Sequence, residues 1–525
     1  MYSPVERPSK QELTSRRAGT LREGSRRATL CLLLWLCASH AHAAPPFELT
    51  GSVLSSGGFG ARTTGASAGA SYFNPALLAN ARPGVEVGFF VLQDRMQISL
   101  ANRSTRFDIP EAALGQFQGR MPSLPTSWIQ TGCDPETGGR CATALRPHPR
   151  ENVTSGATHA YMVFGLVATI FERYLTLGVY GMAPSGSLLR GSTFYVDERE
   201  QYFSNNLHAE LYEDRLDAPA MAFAVGSRLL DWLAIGMGAT LGITNSVTAG
   251  TFIGNSSRVA ETLVLATDLQ AALSFAPHFG VQIEPTSWLA FSLTAHSPQK
   301  QEMGTGLVNF LPNGDLQEAT RSIVLDWMPW SLGLGSQLEL LELDTHKLGV
   351  VAGMTLALWT DYIDRVGERP RPGYLWSNTL LANAGLRHTY KDLLSSFFDF
   401  QYVPSPVPAQ TGRSNYVDND RLGFSGGTSF ELPLGGTRAR LRIGLQAQMH
   451  LLLRRWQDKL DPTSERFAGE SYPSLVTDEW KDGATNSRGD VIAAADGLQT
   501  NNPGWPGFGS RGTIWGAGLN LALLY

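Results

Sequence analysis

The chain has little cysteine, little charge of either sign and no long apolar run. Four cysteines in 525 residues cannot form the framework of a disulfide-stapled fold. Lysines and arginines number 42 against 47 acids, a net charge of −5, so the chain shows no basic footprint for nucleic acid. The histidines beyond the N-terminal segment are scattered singly, in neither H-x-x-H nor H-E-x-x-H spacing, which leaves a metal centre and its cofactor chemistry without support. Beyond residue 43 no apolar stretch approaches the roughly 20 residues that a helix needs to cross a bilayer. Glycine is abundant at 55 residues but follows no three-residue period, which excludes collagen.

What is present begins with an export signal. Basic residues ending in Arg26-Arg27 precede a short apolar core, Thr29 to Leu36, and then a small-x-small site, Ala41-His42-Ala43. The expected mature chain starts near Ala44, with residues 1–43 removed. Cys31 and Cys37 leave with the signal, and Leu36 before Cys37 does not suit a lipoprotein. Cys133 and Cys141 bracket a turn-rich span and in an exported protein read as one disulfide closing a small loop.

Residues of strict two-residue alternation recur to the end. From Trp232 to Thr244 one face carries Leu233, Ile235, Met237, Ala239, Leu241 and Ile243, and the other is mostly glycine, alanine and threonine. From Arg440 to Leu451 the apolar face runs Leu441, Ile443, Leu445, Ala447, Met449 and Leu451, against Arg440, Arg442, Gly444, Gln446, Gln448 and His450. Leu348 to Thr360 repeats it. These read as strands of ten residues or more with one apolar face, the length and period of a membrane-spanning β-strand.

Each alone also fits a soluble sandwich; the connections decide. Short joints near residues 171–174, 230–231, 284–286, 390–392 and 435–436 alternate with long polar loops. The loops lie near 101–157, 184–219, 246–262, 298–320, 361–376, 404–420 and 454–509. Short turns at one end and long loops at the other are the asymmetry of an outer-membrane barrel, and the spacing predicts about fourteen strands. The last segment alternates Trp515, Ala517, Leu519, Leu521, Leu523 and ends on Tyr525, in the manner of the signal read by barrel-assembly machinery. Trp288, Trp330, Tyr402 and Phe430 fall near strand ends, where interfacial aromatics sit.

One stretch carries more. Ser405-Pro406-Val407-Pro408-Ala409-Gln410, followed by Asp418-Asn419-Asp420-Arg421, joins two extended segments, and its prolines forbid helix and central-ladder pairing. Upstream lie Phe47-Glu48-Leu49, then Ser55-Ser56-Gly57-Gly58-Phe59-Gly60 with Arg62, then Asn74-Pro75-Ala76. In this order they resemble the outer-membrane long-chain fatty acid transporter family (the FadL/TodX type). The resemblance spans the chain discontinuously, and the N-terminal part lacks the acidic pair common before N-P-A. It implies an all-β fold: a 14-stranded antiparallel transmembrane β-barrel, residues 84–525, in the outer membrane of a Gram-negative bacterium. Residues 44–83 would form a plug inside the lumen, with Phe47, Leu49, Phe59, Asn74, Pro75 and Ala76 in ligand binding or gating. Gly178, Gly181 and Pro184 would permit a third-strand kink. Ser405, Pro406, Val407, Pro408, Ala409, Gln410, Asp418, Asp420 and Arg421 would shape the extracellular mouth.

Two G-x-S-x-G matches, at Ser67 and Ser425, lack the strand-to-helix turn of a nucleophile elbow. The expectation is a transporter and not an enzyme, with no cofactor and no metal. It would take up long-chain fatty acids or similar hydrophobic small molecules passively. Its other partners would be outer-membrane lipid and, during biogenesis, the assembly machinery, with no nucleic acid. Aromatic hydrocarbon uptake is an open alternative, as is a surface adhesion or structural barrel whose loops carry the function.

Overall fold

The computed structural model describes residues 45–54, 57–100, 150–153, 157–171, 174–185, 211, 216, 219–253, 263–310, 316–363, 369–370, 375–391, 393–410, 416–435, 438–458 and 507–525. The export signal and the Cys133/Cys141 pair lie outside the described residues.

Seventeen strands form one sheet. They are β1 (Gly84–Leu100), β2 (Arg150–Val153), β3 (Thr158–Phe171), β4 (Leu175–Pro184), β5 (Ala220–Leu230) and β6 (Leu233–Ile253). β7 (Leu263–Thr286), β8 (Leu289–His296), β9 (Gln299–Phe310), β10 (Leu316–Met328), β11 (Ser331–Glu342) and β12 (His346–Ala357) follow. β13 (Thr379–Tyr390), β14 (Leu394–Val403), β15 (Arg421–Pro433), β16 (Arg440–Asp458) and β17 (Gly507–Leu524) complete the order.

Each strand pairs antiparallel with its neighbour around the ring, and β8 pairs directly with β11, from Ser331↔His296 to Leu338↔Leu289. The ring closes where β1 meets β17, from Gly84↔Leu524 to Leu100↔Phe508. β9 and β10 continue β8 and β11 as a hairpin beyond the wall, and β2 is a short addition beside the end of β1. Fourteen strands therefore make the closed antiparallel barrel, as the loop and turn spacing predicts. Closure leaves no free strand edge in the wall, the condition for a sheet to sit in lipid.

Alternation places the faces. On β16, Leu445 and Met449 are exposed, at 53% and 43%, whereas Arg442, Gln446, Gln448 and His450 are buried in the lumen. Ile235 and Met237 on β6, and Trp515, Leu519 and Leu521 on β17, likewise face outward. Trp288, Trp330 and Phe430 are exposed near strand ends, and Tyr402 instead donates its hydroxyl to Asp420.

Several boundaries differ from expectation. Within the loops expected at 246–262 and 298–320, residues 246–253, 299–310 and 316–320 are strand: β6 and β7 pair out to Ile253↔Leu263, and β9 pairs with β10 and, in parallel, with β6. A strand beyond the lipid needs no apolar face, so its ladder persists after the alternation in its sequence fades. The joint expected at Glu284-Pro285-Thr286 falls at Ser287–Trp288, because a bulge between Ile283 and Thr286 absorbs Pro285. The strand expected to reach Thr360 ends at Ala357 and passes into a 3-10 turn, Trp359–Asp361. A further short joint, Leu343 to Thr345, has no sequence marker and lies between β11 and β12.

The described residues of 45–83 pack against the inward faces of the strands. They comprise α1 (Pro45–Thr50), α2 (Ala70–Phe73) and a 3-10 helix, Pro75–Asn80. Bonds run outward from this segment to opposite sides of the wall. Val53 N–H meets Tyr180 on β4, and Val53 C=O meets Asn520 on β17. Ala68 N–H reaches Glu86 on β1, Gly60 N–H reaches Asp399 on β14, and Ser71 C=O accepts from His278 on β7.

Candidate functional site

Two elements enclose the candidate site: the inner segment from below and the proline-rich segment from above. The inner segment is fixed first at Asn74-Pro75-Ala76. Asn74 caps the 3-10 helix by accepting from Ala76 N–H at 3.2 Å, and its amide donates to Arg62 C=O at 2.9 Å. Proline at the first helical position suits that start. The turn rests on a row of three glycines paired across β5, β6 and β7: Gly226, Gly236 and Gly280. A Cβ on Gly236 would stand 2.2 Å from the Pro75 carbonyl carbon, and one on Gly280 would stand 2.0 Å from Asn74 Oδ1. Only a side-chain-free floor admits the turn so close to the wall.

Charge fixes it next. Arg62 pairs with Glu48 at 2.7 Å, and Tyr72 donates to the same carboxylate at 2.5 Å. Burial works to lower the Arg62 pKa, but Glu48 and Tyr72 hold it above its ordinary value. Burial first, and then the Glu48 carboxylate, push the Tyr72 phenol well above its usual range, so it stays protonated and donates. On the far wall Arg387 and Asp399 form a buried pair at 2.5 Å. Arg387 also donates to Gly57 C=O at 3.2 Å, while Asp399 accepts from Gly60 N–H at 3.1 Å. Arg442 and Glu86 repeat the arrangement at 2.9 Å, Glu86 accepting from Ala68 N–H. Buried pairs of this kind fix geometry more than they add stability.

Phe47 and Phe59 are buried, Phe47 stacked on Tyr180 at 4.6 Å and Phe59 against His450 at 5.3 Å. They anchor the segment to the wall and do not border the cavity described below; Leu49 does.

The proline-rich segment folds over the opposite end. Asp420 accepts from Ser405 N–H at 2.8 Å and from the Tyr402 hydroxyl at 3.0 Å. Ser405 Oγ accepts from Val407 N–H, closing a tight turn. Gln410 bonds within the loop, its amide donating to Pro408 C=O and accepting from Tyr416 N–H. Arg455, which carries no motif in the sequence, donates to Ser405 Oγ at 2.9 Å, Asp418 C=O at 3.3 Å and Val407 C=O at 2.6 Å. Asn419 donates to Leu453 C=O and Ser510 C=O, tying the segment to β16 and β17. Beside it an aromatic cluster fills the mouth: Tyr362 stacks on Trp376 at 3.5 Å, with Trp359, Trp327 and Tyr416 around them. Its residues come from β10, from the connection between β12 and β13 and from the proline-rich segment, and no period in the chain links them.

Between these elements lies a cavity of about 120 Å³. The inner segment contributes Glu48, Leu49 and Tyr72 to its lining, and the proline-rich region contributes Pro404, Pro406, Asp418, Asn419 and Arg421. Trp359, Ala357, Leu381 and Met328 supply apolar wall. Elements nearly 360 residues apart thus meet around one space.

The third-strand expectation takes a different form. β4 pairs with β5 without a shift from Thr176↔Gly226 to Met182↔Ala220, and with β3 from Tyr161↔Pro184 to Thr169↔Thr176. Gly178 and Gly181 therefore leave the ladder unbroken here. A Cβ at Gly178 would strike Ser71 and Leu78, so that glycine admits the inner segment. Gly181 is covered by the ring of its cross-strand partner Phe164. Ser425 lies mid-strand in β15 and Ser67 in a turn of the inner segment, and neither begins a helix in the manner of a nucleophile elbow.

No family model and no curated protein matches the sequence. Among solved structures, the chain is similar to a Pseudomonas aeruginosa FadL homologue at 12% identity, over 93% of this chain and 99% of that one, with a TM-score of 0.51. It is similar at TM-score 0.41 to the Pseudomonas putida toluene transporter TodX, at 11% identity over 88% of this chain and 96% of that one. The Ralstonia pickettii toluene transporter TbuX is more distant at TM-score 0.37. The chain therefore has the fold of a FadL homologue, a closed fourteen-stranded barrel.

Proposed function

We propose that the protein is an outer-membrane channel for passive uptake of a hydrophobic small molecule, of the long-chain fatty acid class. Residues 44–83 act as its plug. The observation that carries this reading is the cavity shared by the inner segment and the proline-rich segment, the two elements on which the sequence resemblance rests. An apolar exterior suits a partner surface of outer-membrane lipid, and the alternating C-terminal strand suits recognition by assembly machinery. No bond need be made or broken. An alkyl chain gains about 0.8 kcal/mol per buried CH₂, so a site of this kind captures its ligand by burial alone. Passage then requires the plug to shift.

Oleate uptake tests the function, using cells that lack their own fatty acid channel and express this protein with its membrane insertion verified. Uptake above the empty-vector level, lost when Asn74-Pro75-Ala76 is replaced by Gly-Gly-Gly in a barrel that still assembles, is the expected result. Uptake unchanged by that replacement contradicts plug gating. No uptake from an inserted barrel moves the function to aromatic compounds or to the loops.

A further inference from the structure

A second cavity, of about 370 Å³, lies at the short-turn end of the barrel, bordered by Thr63, Thr64, Asn80, Gln282, Glu284 and Gln337. It shares one wall with the cavity near the mouth. The mouth cavity touches His296 and Ser297 at one end of β8 and Ser331 at the start of β11. The lower cavity touches Leu289 and Ala290 at the other end of β8, and Gln337 of β11. His296 pairs with Ser331 and Ala290 with Gln337, so the two volumes lie at the two ends of one strand seam.

What separates them is small. Between the cavities β11 presents Gly333 and Gly335, paired with Thr294 and Ser292 of β8. That stretch of β11 has no side chain facing the lumen, which leaves a groove. Two side chains of the inner segment occupy it. A Cβ on Gly333 would stand 3.1 Å from Arg62 Cδ, and one on Gly335 would stand 3.0 Å from Thr63 Cβ. Ser292 Oγ donates to Thr63 Oγ1 at 3.3 Å. Arg62 is held there by Glu48, which itself borders the mouth cavity. A ligand arriving in that cavity therefore meets the carboxylate that keeps the groove filled.

The seam's chemistry is polar. Gln282 Oε1, Thr294 Oγ1 and Ser297 Oγ are buried side-chain oxygens with no hydrogen-bond partner among the described residues. They belong to residues at the lower cavity, the groove and the upper cavity in turn. Buried polar atoms in folded proteins find partners, and here a passing solute can supply them. A hydrocarbon cannot. Of the two acids lining the lower cavity, Glu284 is paired with Arg228 at 2.9 Å, which leaves Glu339 as the charge of its own sign that a carboxylate meets there.

From this geometry we infer an axial, hydrogen-bonding passage along the β8–β11 seam, gated by Arg62 and Thr63, that suits an alkyl chain with an uncharged polar head. The assignment rests on the uptake reading above and names its route and ligand chemistry.

The test is a reversible lock. Thr63→Cys with Ser292→Cys places two thiols where hydroxyls now bond, so oxidation pins the inner segment in the groove. Wild-type protein under the same oxidant and reductant is the control. Uptake of radiolabelled 1,2-decanediol and of oleate is measured for the pair and for wild type, oxidised and reduced, in cells with an intact outer membrane. The expected result is at least a tenfold loss of diol uptake in the oxidised 63/292 pair, recovered with reductant, with wild-type uptake unaffected by either treatment. Full diol uptake through the oxidised 63/292 pair overturns the passage. If wild-type protein takes up oleate but not the diol, this inference fails while the uptake function stands. If it takes up neither, the function itself fails.

Discussion

The two faces of a single strand, β16, obey different rules. Its outward residues, Leu445 and Met449, meet only lipid, and any apolar side chain of similar size satisfies that solvent. Its inward residues have named partners: Arg442 bonds Glu86, and His450 packs on Phe59. The outer face is held by a class of residue, the inner face by particular pairs. Because the inner pairs bridge the wall and the enclosed segment, disturbing one affects both.

The largest effect should come from splitting an inner ion pair. Arg387→Met leaves Asp399 buried beside the Gly57–Gly60 backbone without its cation and should cost about 3–5 kcal/mol. Thermal unfolding in detergent checks it, and adding Asp399→Leu should recover most of the loss. A charge on the outer face comes next. Leu445→Arg sets a guanidinium among lipid tails at about 2–4 kcal/mol, with the barrel's heat-modifiable mobility as readout, while Leu445→Ile should be near neutral.

Gly236→Val sharpens the comparison, because it alters the inner face without touching any charge. Its side chain would stand where the Pro75 carbonyl lies, and overpacking of this kind costs about 1–3 kcal/mol. The expected sign is faster proteolysis of residues 45–83 with the wall intact. The smallest effect belongs to the rim. Arg82 is half exposed where it meets Glu431 at 2.8 Å, and Arg82→Ala should shift stability by about 0–1 kcal/mol, lost in high salt.

These differences explain what the sequence discloses. Alternation such as Leu441 to Leu451 makes strands, faces and barrel legible, since a lipid-facing residue is recognised by class alone. The N-P-A and S-P-V-P-A-Q segments are legible because prolines and a capping asparagine constrain backbone locally. Arg387, Asp399, Glu86 and Arg455 are only half legible. A charged residue at an inward position of a spanning strand marks itself as paired, but nothing in the chain names its partner. The glycine row Gly226, Gly236 and Gly280 is legible as small inward residues, and its purpose appears only when Asn74-Pro75 rests on it. The aromatic cluster around Trp376 has no sequence signal, since its members come together from β10, beyond the wall, and from separate loops.

The central claim is that the cavity between the inner segment and the proline-rich segment holds the ligand. An experimental structure of the protein soaked with a bromine-labelled alkyl chain tests it most directly. The account predicts an anomalous bromine peak between Tyr72, Trp359, Leu381 and Pro406. A peak elsewhere in the barrel, or none at saturating ligand, would contradict it.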